Sequence, residues 1–352
     1  MIFFRSDYGQ GAHPKVMEAL ARTNLEYTDG YGNDPHCENA AAMIKKLIGR
    51  DDCSVHMMVG GTPCNVTVIA AALRPYEAVV AVQSGHAYKH ETGAVEATGH
   101  RVITVNGIDG KLTPELIDLA WEEYEDEHTP LPRMAYVSQP TEIGTIYGKA
   151  ELTALSKKCA EQNMFLYVDG ARLGCALTSE ENDLSIQELA RLCDAFYIGG
   201  TKNGALFGEA LVILNQAIDD HFRFMIKRQC GLLAKGRLLG VQFEALLDGG
   251  PDGIYFEMAA HANRMAKKLR EGLAELGVAF FGDSRTNQIF PILPGDVVRE
   301  LEKEFLFYRW TQEKNGMTPI RLVTSWGTED SDVTAFLERA GMLLAAREPF
   351  AT

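Results

Sequence analysis

The sequence predicts an α/β protein in which a large, mostly parallel sheet of seven strands precedes a smaller C-terminal α/β domain. Short apolar runs alternate with amphipathic helical stretches along most of the chain, which is typical of parallel strands joined by helices. The runs are almost continuously apolar, as expected for strands buried on both faces. A cluster of turn-forming residues, DGGPDG at 248–253, interrupts this pattern, so we place one domain at 1–248 and a second at 249–352.

The hydrophobic pattern places the individual elements in chain order. The chain starts with an extended arm, residues 1–13, and Pro14 then opens a helix. In the first domain we predict strands at 55–59, 79–82, 100–105, 134–137, 164–168, 195–198 and 209–214. Helices are predicted there at 40–48, 65–73, 114–124 and 149–162, with a largely helical stretch at 217–247. In the second domain we predict helices at 255–276, 296–305 and 330–346, and strands at 278–281, 289–293 and 320–324.

The composition argues against several classes of protein. A net charge of -14 over 352 residues argues against nucleic-acid binding, which normally uses a basic face. The first residues include Arg5 and Asp7, so we expect no signal peptide, and no apolar run approaches the roughly 20 residues that span a bilayer. Seven scattered cysteines without a CxxC pair are typical of a reducing compartment. We therefore expect a cytoplasmic protein with no membrane segment and no metal site.

Two charged residues follow predicted strands at the positions where α/β sheets collect ligand groups. Asp169 ends the run MFLYVD, and Lys202 lies in the sequence GGTKNG after the next strand. Pyridoxal phosphate (PLP) uses such a pair, because a lysine bonds covalently to its aldehyde and a carboxylate keeps its ring nitrogen protonated. A structural salt bridge or two solvated loop charges would account for the same residues, so other positions must decide between these interpretations.

Three further segments offer groups that suit this cofactor. The GGT sequence at 60–62 lies between a predicted strand and helix, where free backbone N–H groups favour a phosphate, although many turns contain two glycines for steric reasons. His86 and His90 are four residues apart without a third ligand, which argues against a metal. His86 would instead stack on the PLP ring and act as an acid or base, unless it is an ordinary surface residue. Arg172, three residues after Asp169, would meet the ring oxygen of PLP.

Other polar residues point to a substrate or to a neighbouring subunit. Arg321 interrupts the apolar run PIRLVTSW and requires a carboxylate, either from an internal Asp or Glu or from an amino-acid substrate. Glu142 lies at the end of another predicted strand, in SQPTEIG. Tyr31 belongs to a polar loop, DGYGNDP, that is either a solvated turn or part of a site. A basic cluster at 227–237, which includes Lys235, would pair with acidic residues across a subunit interface or reach a phosphate there.

Taken together, these segments resemble the L-threonine aldolase family, within the PLP-dependent transferase fold (fold type I). The motifs follow the order of that family along nearly the whole chain: RSD at 5–7, DGYGNDP at 29–35, GGT at 60–62, the His86 segment, VDGAR at 168–172, TKNG at 201–204 and IRLVTSW at 320–326.

The resemblance implies cofactor-binding roles for seven residues, one of which, Lys235, would come from a neighbouring subunit. Lys202 would bond to PLP, Asp169 would pair with the ring nitrogen, and Arg172 would contact the ring oxygen. Gly61 and Thr62 would hold the phosphate, and His86 would stack on the ring.

The resemblance also implies how the substrate is bound. Ser6 and Arg321 would bind the carboxylate of the amino acid. Tyr31 and Lys235 would reach the site of a neighbouring subunit. These roles imply a homodimer or homotetramer with shared active sites.

The implied reaction is the aldol cleavage of L-threonine, L-allo-threonine or a related β-hydroxy-α-amino acid to glycine and an aldehyde. His86 would take the proton of the β-hydroxyl, with Glu142 as the alternative base. Many members of the family carry a second active-site histidine where this chain has Thr141 and Glu142. The sequence therefore leaves the choice between threo and allo substrates open.

Rival interpretations use the same fold or a different one. Another PLP enzyme of this fold, a β-eliminating lyase or an aminotransferase, would share nearly all of these residues. A non-catalytic protein of this fold would not need both Asp169 and Lys202. A Rossmann-type nucleotide binder is disfavoured, because no GxGxxG motif follows the early strands.

Overall fold

The computed structural model describes residues 1–123 and 126–346, so the end of the helix predicted at 114–124 lies outside the described residues. The strands are β1 (Ile2–Phe3), β2 (Ser54–Met58), β3 (Glu77–Val82), β4 (Arg101–Val105), β5 (Leu131–Ser138), β6 (Phe165–Asp169), β7 (Ala195–Gly199), β8 (Glu209–Ile213), β9 (Ala279–Phe280), β10 (Gln288–Ile289), β11 (Pro291–Pro294), β12 (Phe305–Leu306), β13 (Tyr308–Arg309) and β14 (Met317–Val323). The α-helices are α1 (Pro14–Thr23), α2 (Pro35–Ile48), α3 (Gly61–Ala72), α4 (His86–Lys89), α5 (Pro114–Glu123), α6 (Lys149–Glu161), α7 (Leu173–Leu177), α8 (Ile186–Leu192), α9 (Gln216–Asp219), α10 (Phe222–Arg228), α11 (Arg237–Leu247), α12 (Ile254–Glu275), α13 (Gly295–Leu301) and α14 (Asp330–Ala345). Within the described ranges, none of these helices combines the length and the apolar character needed to cross a membrane.

The large sheet has seven strands in the order β2-β8-β7-β6-β5-β3-β4. Strands β4, β3, β5, β6 and β7 run parallel, whereas β8 is antiparallel to both β7 and β2. Apolar clusters pack on both faces of this sheet, which explains why its strands read as continuous apolar runs. The predicted α/β fold with a large, mostly parallel sheet is confirmed.

The C-terminal part forms a smaller antiparallel sheet, β10-β14-β11-β9, to which β13 adds by pairing with β14. The extended arm joins this unit, because β1 pairs in parallel with β12. Phe4 is fully buried in the apolar cluster that α12, α13 and α14 share with the small sheet. The arm therefore packs on the C-terminal unit, and the division at residue 248 stays a prediction.

Several element boundaries differ from the prediction for local reasons. Helix α2 begins at Pro35 instead of residue 40, because the Asp34 carboxylate caps it by accepting a hydrogen bond from the Cys37 N–H. The predicted helical stretch at 217–247 is divided into α9, α10 and α11. The helix predicted at 296–305 ends at Leu301, and the residues after it form β12. The segment after β3 contains one helical turn, α4, instead of only a loop.

Candidate active site

A cavity of about 830 Å³ lies at the carboxyl ends of the parallel strands, between the large sheet and the β13–β14 hairpin. Its walls contain eight of the residues that the sequence predicts for the site: Gly61, Thr62, His86, Glu142, Asp169, Arg172, Lys202 and Arg321. Ser6, Tyr31 and Lys235 do not line it within one protomer. Ser6 is buried in the arm, Tyr31 is half-exposed and lines a separate cavity of about 140 Å³, and Lys235 is exposed.

Asp169, the last residue of β6, is held by four hydrogen-bond donors. Its Oδ1 accepts from the Tyr197 hydroxyl (2.5 Å) and the Ala171 N–H (3.0 Å). Its Oδ2 accepts from the Tyr136 hydroxyl (2.5 Å) and the Asn65 amide (3.1 Å). Burial alone would raise the pKa of Asp169, but nearby His86 and the two tyrosine hydroxyls hold that pKa below its ordinary value. Asp169 therefore stays ionised, as the partner of a protonated ring nitrogen must.

Lys202 faces the same cavity from the turn that follows β7. Burial lowers its pKa, and the positive charge of Arg172 lowers it further. A lysine with a lowered pKa spends more time as the neutral amine, which is the form that attacks an aldehyde. Asp169 and Lys202 face a shared cavity and form no salt bridge with each other. They are therefore neither a structural salt bridge nor two solvated loop charges, which were the alternatives that the sequence allowed.

The GGT segment places a helix N-terminus beside this pair. Helix α3 begins at Gly61, directly after β2, so the N–H groups of its first turn lie at the cavity wall. A Cβ atom on Gly61 would come within 2.8 Å of the Tyr197 hydroxyl, which is one of the donors to Asp169. Glycine at this position thus brings the helix N-terminus and the aspartate close together.

His86 is oriented by a buried carboxylate that the sequence analysis did not identify. Its Nδ1 lies 2.9 Å from Glu91 Oε1, and the Glu91 side chain has no exposed surface. The Asn65 amide also donates to Glu91 Oε1 (2.6 Å), so Asn65 links the two carboxylates Glu91 and Asp169. Because a carboxylate accepts its hydrogen bond, it favours the tautomer in which Nδ1 carries the proton and Nε2 carries the lone pair.

Glu142 anchors the His86 segment to the end of β5. Its Oε1 accepts from the His86 N–H (2.8 Å) and from the Ser138 hydroxyl (2.7 Å). Burial raises the pKa of Glu142. Glu142 faces the cavity, so it belongs to the site both as a support for His86 and as a second titratable group.

Arg172 is held by a carboxylate from the N-terminal arm. Its Nε and Nη2 donate to the two oxygens of Asp7, at 2.6 and 3.0 Å. Asp7 is buried and also accepts from the Asn287 amide (2.9 Å). The arm therefore fixes the orientation of Arg172 in the cavity wall, which the sequence analysis did not anticipate.

Arg321 has aromatic neighbours instead of an internal carboxylate. Its guanidinium lies 5.3 Å from the ring centre of Tyr308 and 5.7 Å from that of Trp310. Tyr308 is its cross-strand partner on β13, and Lys89 lies 5.7 Å from the other ring, Trp310. Its Nε is buried without a hydrogen-bond partner, and no acidic residue of the described ranges forms an ion pair with it. Within the described residues, the structure therefore provides no internal carboxylate as the partner of Arg321.

Glu209 also lines the cavity and was missed by the sequence analysis. It is the first residue of β8, only 4% exposed, and its Oε2 accepts a hydrogen bond from the Gly200 N–H (2.7 Å). The signal in the sequence is a glutamate that opens the apolar strand EALVI. Its position in the sheet, which brings it to the cavity, is visible only in the fold.

Comparisons with known proteins place the chain in a family. The chain matches the family model described as beta-eliminating lyase over residues 4–294. It is 30% identical over 341 residues to a low-specificity L-threonine aldolase from a Pseudomonas species, and the alignment covers 94% of each protein. It is 45% identical to the solved structure of a Leishmania major threonine aldolase, with a TM-score of 0.96 over 98% of this chain and 100% of the other. A Thermus thermophilus aspartate aminotransferase shares the fold, with a TM-score of 0.73 at 18% identity over 97% of this chain and 91% of its own.

These matches confirm the predicted resemblance and the fold of type I. Enzymes of the matched family depend on PLP, and the aminotransferase-like fold belongs to PLP enzymes as well. The residues in the cavity fit that cofactor, since it offers an ionised buried aspartate, a lysine with a lowered pKa and a helix N-terminus. The chain therefore belongs to the beta-eliminating lyase family of PLP-dependent enzymes.

Proposed function

We propose that the protein cleaves L-threonine, L-allo-threonine or a related β-hydroxy-α-amino acid to glycine and an aldehyde. This proposal rests mainly on the cavity, which contains Asp169, Lys202, Arg321 and His86. Within the described residues, Arg321 has no carboxylate partner, and His86 is oriented by Glu91. The names of the relatives point the same way, since the Pseudomonas and Leishmania major proteins are both called threonine aldolases.

The cofactor would be held by residues at the edge of the large sheet. Lys202 would form the covalent bond, Asp169 would pair with the ring nitrogen, and Arg172 would face the ring oxygen. The phosphate would bind at Gly61 and Thr62, where α3 begins. When bound, PLP supplies an electron-accepting ring for the bond that breaks at the α-carbon of the amino acid.

The substrate carboxylate would bind Arg321, whose guanidinium contacts the aromatic rings of Tyr308 and Trp310. Ser6 is the second residue that we propose for this carboxylate, since it precedes Asp7, the partner of Arg172. Fixing the carboxylate orients the bond between the α- and β-carbons, which has to stand perpendicular to the cofactor ring to break.

His86 would accept the proton of the β-hydroxyl at Nε2. Its Nδ1 proton is held by Glu91, so Nε2 is the nitrogen with the free lone pair. Glu142 is the alternative base, because it faces the same cavity and burial raises its pKa. A Glu142→Gln variant that keeps its activity would assign the proton transfer to His86.

The decisive experiment is an analysis of products from the purified, PLP-loaded protein with L-threonine and L-allo-threonine. We expect glycine and acetaldehyde in equal amounts. Ammonia with 2-oxobutanoate would instead indicate elimination, and a 2-oxo acid formed together with an aminated cofactor would indicate aminotransfer. Either of these results without glycine would contradict the proposal.

We further propose that the active sites are shared between subunits of a dimer or tetramer in the cytoplasm. Tyr31 and Lys235 do not line the cavity of their own protomer, and the Tyr31 N–H donates to the carbonyl of Ala234, the residue before Lys235 (3.3 Å). Mixing the inactive variants Lys202→Ala and Lys235→Ala under conditions of subunit exchange should restore activity, because one hybrid site would be intact. Activity that stays absent after exchange, or a monomer in light scattering, would contradict shared sites.

A further inference from the structure

Glu209 lies between the two segments that hold the ends of the proposed cofactor. In the sheet it pairs with Met58 on β2 and with Gly199 on β7. Strand β2 leads into the GGT segment at 60–62, and β7 leads into the turn that carries Lys202. The Glu209 side chain faces the cavity that both of these segments line.

The surroundings of Glu209 disfavour its ionised form. Burial raises the pKa of Glu209 to about 7, although the Gly200 N–H, Thr201 and Lys202 act in the opposite direction. Glu209 also interacts electrostatically with thiol and phenol groups of neighbouring elements whose pKa values are raised, among them Cys64 of α3, Tyr167 of β6, Tyr197 of β7 and Tyr255 of α12. Within the described ranges, no arginine, lysine or histidine forms an ion pair with this carboxyl group. Glu209 is therefore an acid that is poised to exchange its proton near neutral pH.

We propose that Glu209 in its protonated form donates a hydrogen bond to the phosphate group of PLP, and that its ionisation weakens cofactor binding. This inference rests on PLP as the cofactor and on the phosphate position at the start of α3. The N-terminus of α3 attracts an anion, whereas a carboxylate beside it would repel one. A carboxylic acid in the same place removes the repulsion and adds a short, charge-assisted hydrogen bond.

The direction in which PLP affinity changes with pH follows from the coupling between PLP binding and the protonation of Glu209. A phosphate beside Glu209 raises the pKa of that carboxyl further, so the complex holds a proton that the free protein loses above pH 7. Cofactor affinity should therefore fall as the pH rises through this range, by up to about tenfold per pH unit. Lys202 acts in the opposite sense, since it has to lose a proton to bond to PLP, so the effect of Glu209 must be isolated by comparison with a variant.

The test compares the wild-type protein with Glu209→Gln, which keeps the shape of the side chain and a hydrogen-bond donor but cannot ionise. Dissociation constants are measured between pH 6 and 9 for PLP and for pyridoxal, which lacks the phosphate. For PLP, we expect the ratio of the wild-type dissociation constant to the Glu209→Gln dissociation constant to rise about tenfold between pH 7.5 and 8.5. For pyridoxal, the ratio should stay constant. A constant ratio for PLP, or an equal rise for both compounds, would overturn the proposal.

Two further measurements keep the result interpretable. Glu77→Gln removes a buried carboxyl that does not line the cavity and should leave the ratio for PLP constant with pH. If Glu209→Gln does not fold, the Lys202→Ala apoprotein, in which Lys202 no longer titrates, is melted with sulfate, whose charge does not change in this range. The stabilisation by sulfate should be larger at pH 6 than at pH 8.5, and equal stabilisation would overturn the proposal. All of these measurements report binding and not catalysis. They therefore test the role of Glu209 even if the protein binds PLP but does not cleave threonine.

Discussion

At the scale of single residues, Glu91 determines which nitrogen of His86 carries a proton. The Glu91→Gln variant replaces the acceptor with an amide that can also donate to Nδ1, so the orientation and tautomer of His86 are no longer fixed. We expect kcat for aldol cleavage to fall by about 10–100-fold while PLP binding is retained, as for other groups that orient a functional histidine. Steady-state kinetics and the PLP dissociation constant check this. Glu96→Gln, a change in an exposed glutamate five residues away, should have no effect, and equal loss in both variants would contradict the role of Glu91.

The raised pKa of Glu209 also leads us to expect that the stability of the protein depends on pH. In the unfolded chain its pKa returns to the ordinary value of 4.5, so between pH 4.5 and 7 the folded protein holds a proton that the unfolded chain has lost. The free energy of unfolding of the apoprotein should therefore fall as the pH rises through this window, by at most about 3 kcal/mol from this group. Glu209→Gln lacks the effect, so its stability relative to the wild type should increase from pH 5 to pH 8. A difference that does not change with pH in denaturant unfolding would contradict the raised pKa.

At the scale of elements, the β13–β14 hairpin positions Arg321 through aromatic rings. The Tyr308 ring contacts two guanidinium groups, with the ring centre 5.3 Å from that of Arg321 and 5.0 Å from that of Arg5. A cation–π contact at a partly exposed site contributes about 0.5–1 kcal/mol, so Tyr308→Ala should raise KM about 2–5-fold. We expect kcat and the PLP dissociation constant to stay unchanged, because Tyr308 acts on the substrate carboxylate only. Tyr308→Phe keeps the ring and should restore KM, whereas a high KM in both variants would assign the effect to the hydroxyl.

The turn between β2 and α3 is a second element with a narrow steric requirement. In Gly61→Ala the added Cβ would lie 2.8 Å from the Tyr197 hydroxyl and displace a donor of Asp169. We expect weaker PLP binding and a loss of stability of about 1–3 kcal/mol, as for overpacked cores. Gly11→Ala is the matched control, because no atom lies within 4 Å of its added Cβ. Equal PLP affinity and equal melting temperatures in the two variants would show that the turn is not tightly packed.

At the scale of the whole molecule, the N-terminal arm connects the C-terminal unit to the active site. Phe4 is buried in the C-terminal cluster, and Asp7, three residues later, holds Arg172 in the cavity wall. Phe4→Ala should lower the free energy of unfolding by about 3–5 kcal/mol. Phe3→Ala removes a ring that is 41% exposed and should cost clearly less. Thermal or denaturant unfolding of both variants measures the difference, and similar losses would contradict the anchoring role of Phe4.

The sequence predicts those features of the site that depend on strand order and local pattern. Asp169 ends β6 and Lys202 lies in the turn after the neighbouring parallel strand β7, so an apolar run followed by a charged residue suffices to bring both to one edge of the sheet. Glu91 and Glu209 could not be assigned in this way. Glu91 lies in a short irregular segment, and Glu209 begins an antiparallel strand whose place between β2 and β7 depends on long-range pairing. The contact of Asp7 with Arg172 spans 165 residues and has no local signal at all.

The measurement that tests the central claim most directly is chemical trapping of the cofactor. The purified protein is incubated with PLP, reduced with borohydride, digested and analysed by mass spectrometry, with Lys202→Ala as the control. We predict that one phosphopyridoxyl group is attached to Lys202 and that the control carries none at any other lysine. A modification at a different lysine, or a wild-type protein left unmodified, would contradict the assignment of Lys202 and Asp169 as the cofactor-binding pair.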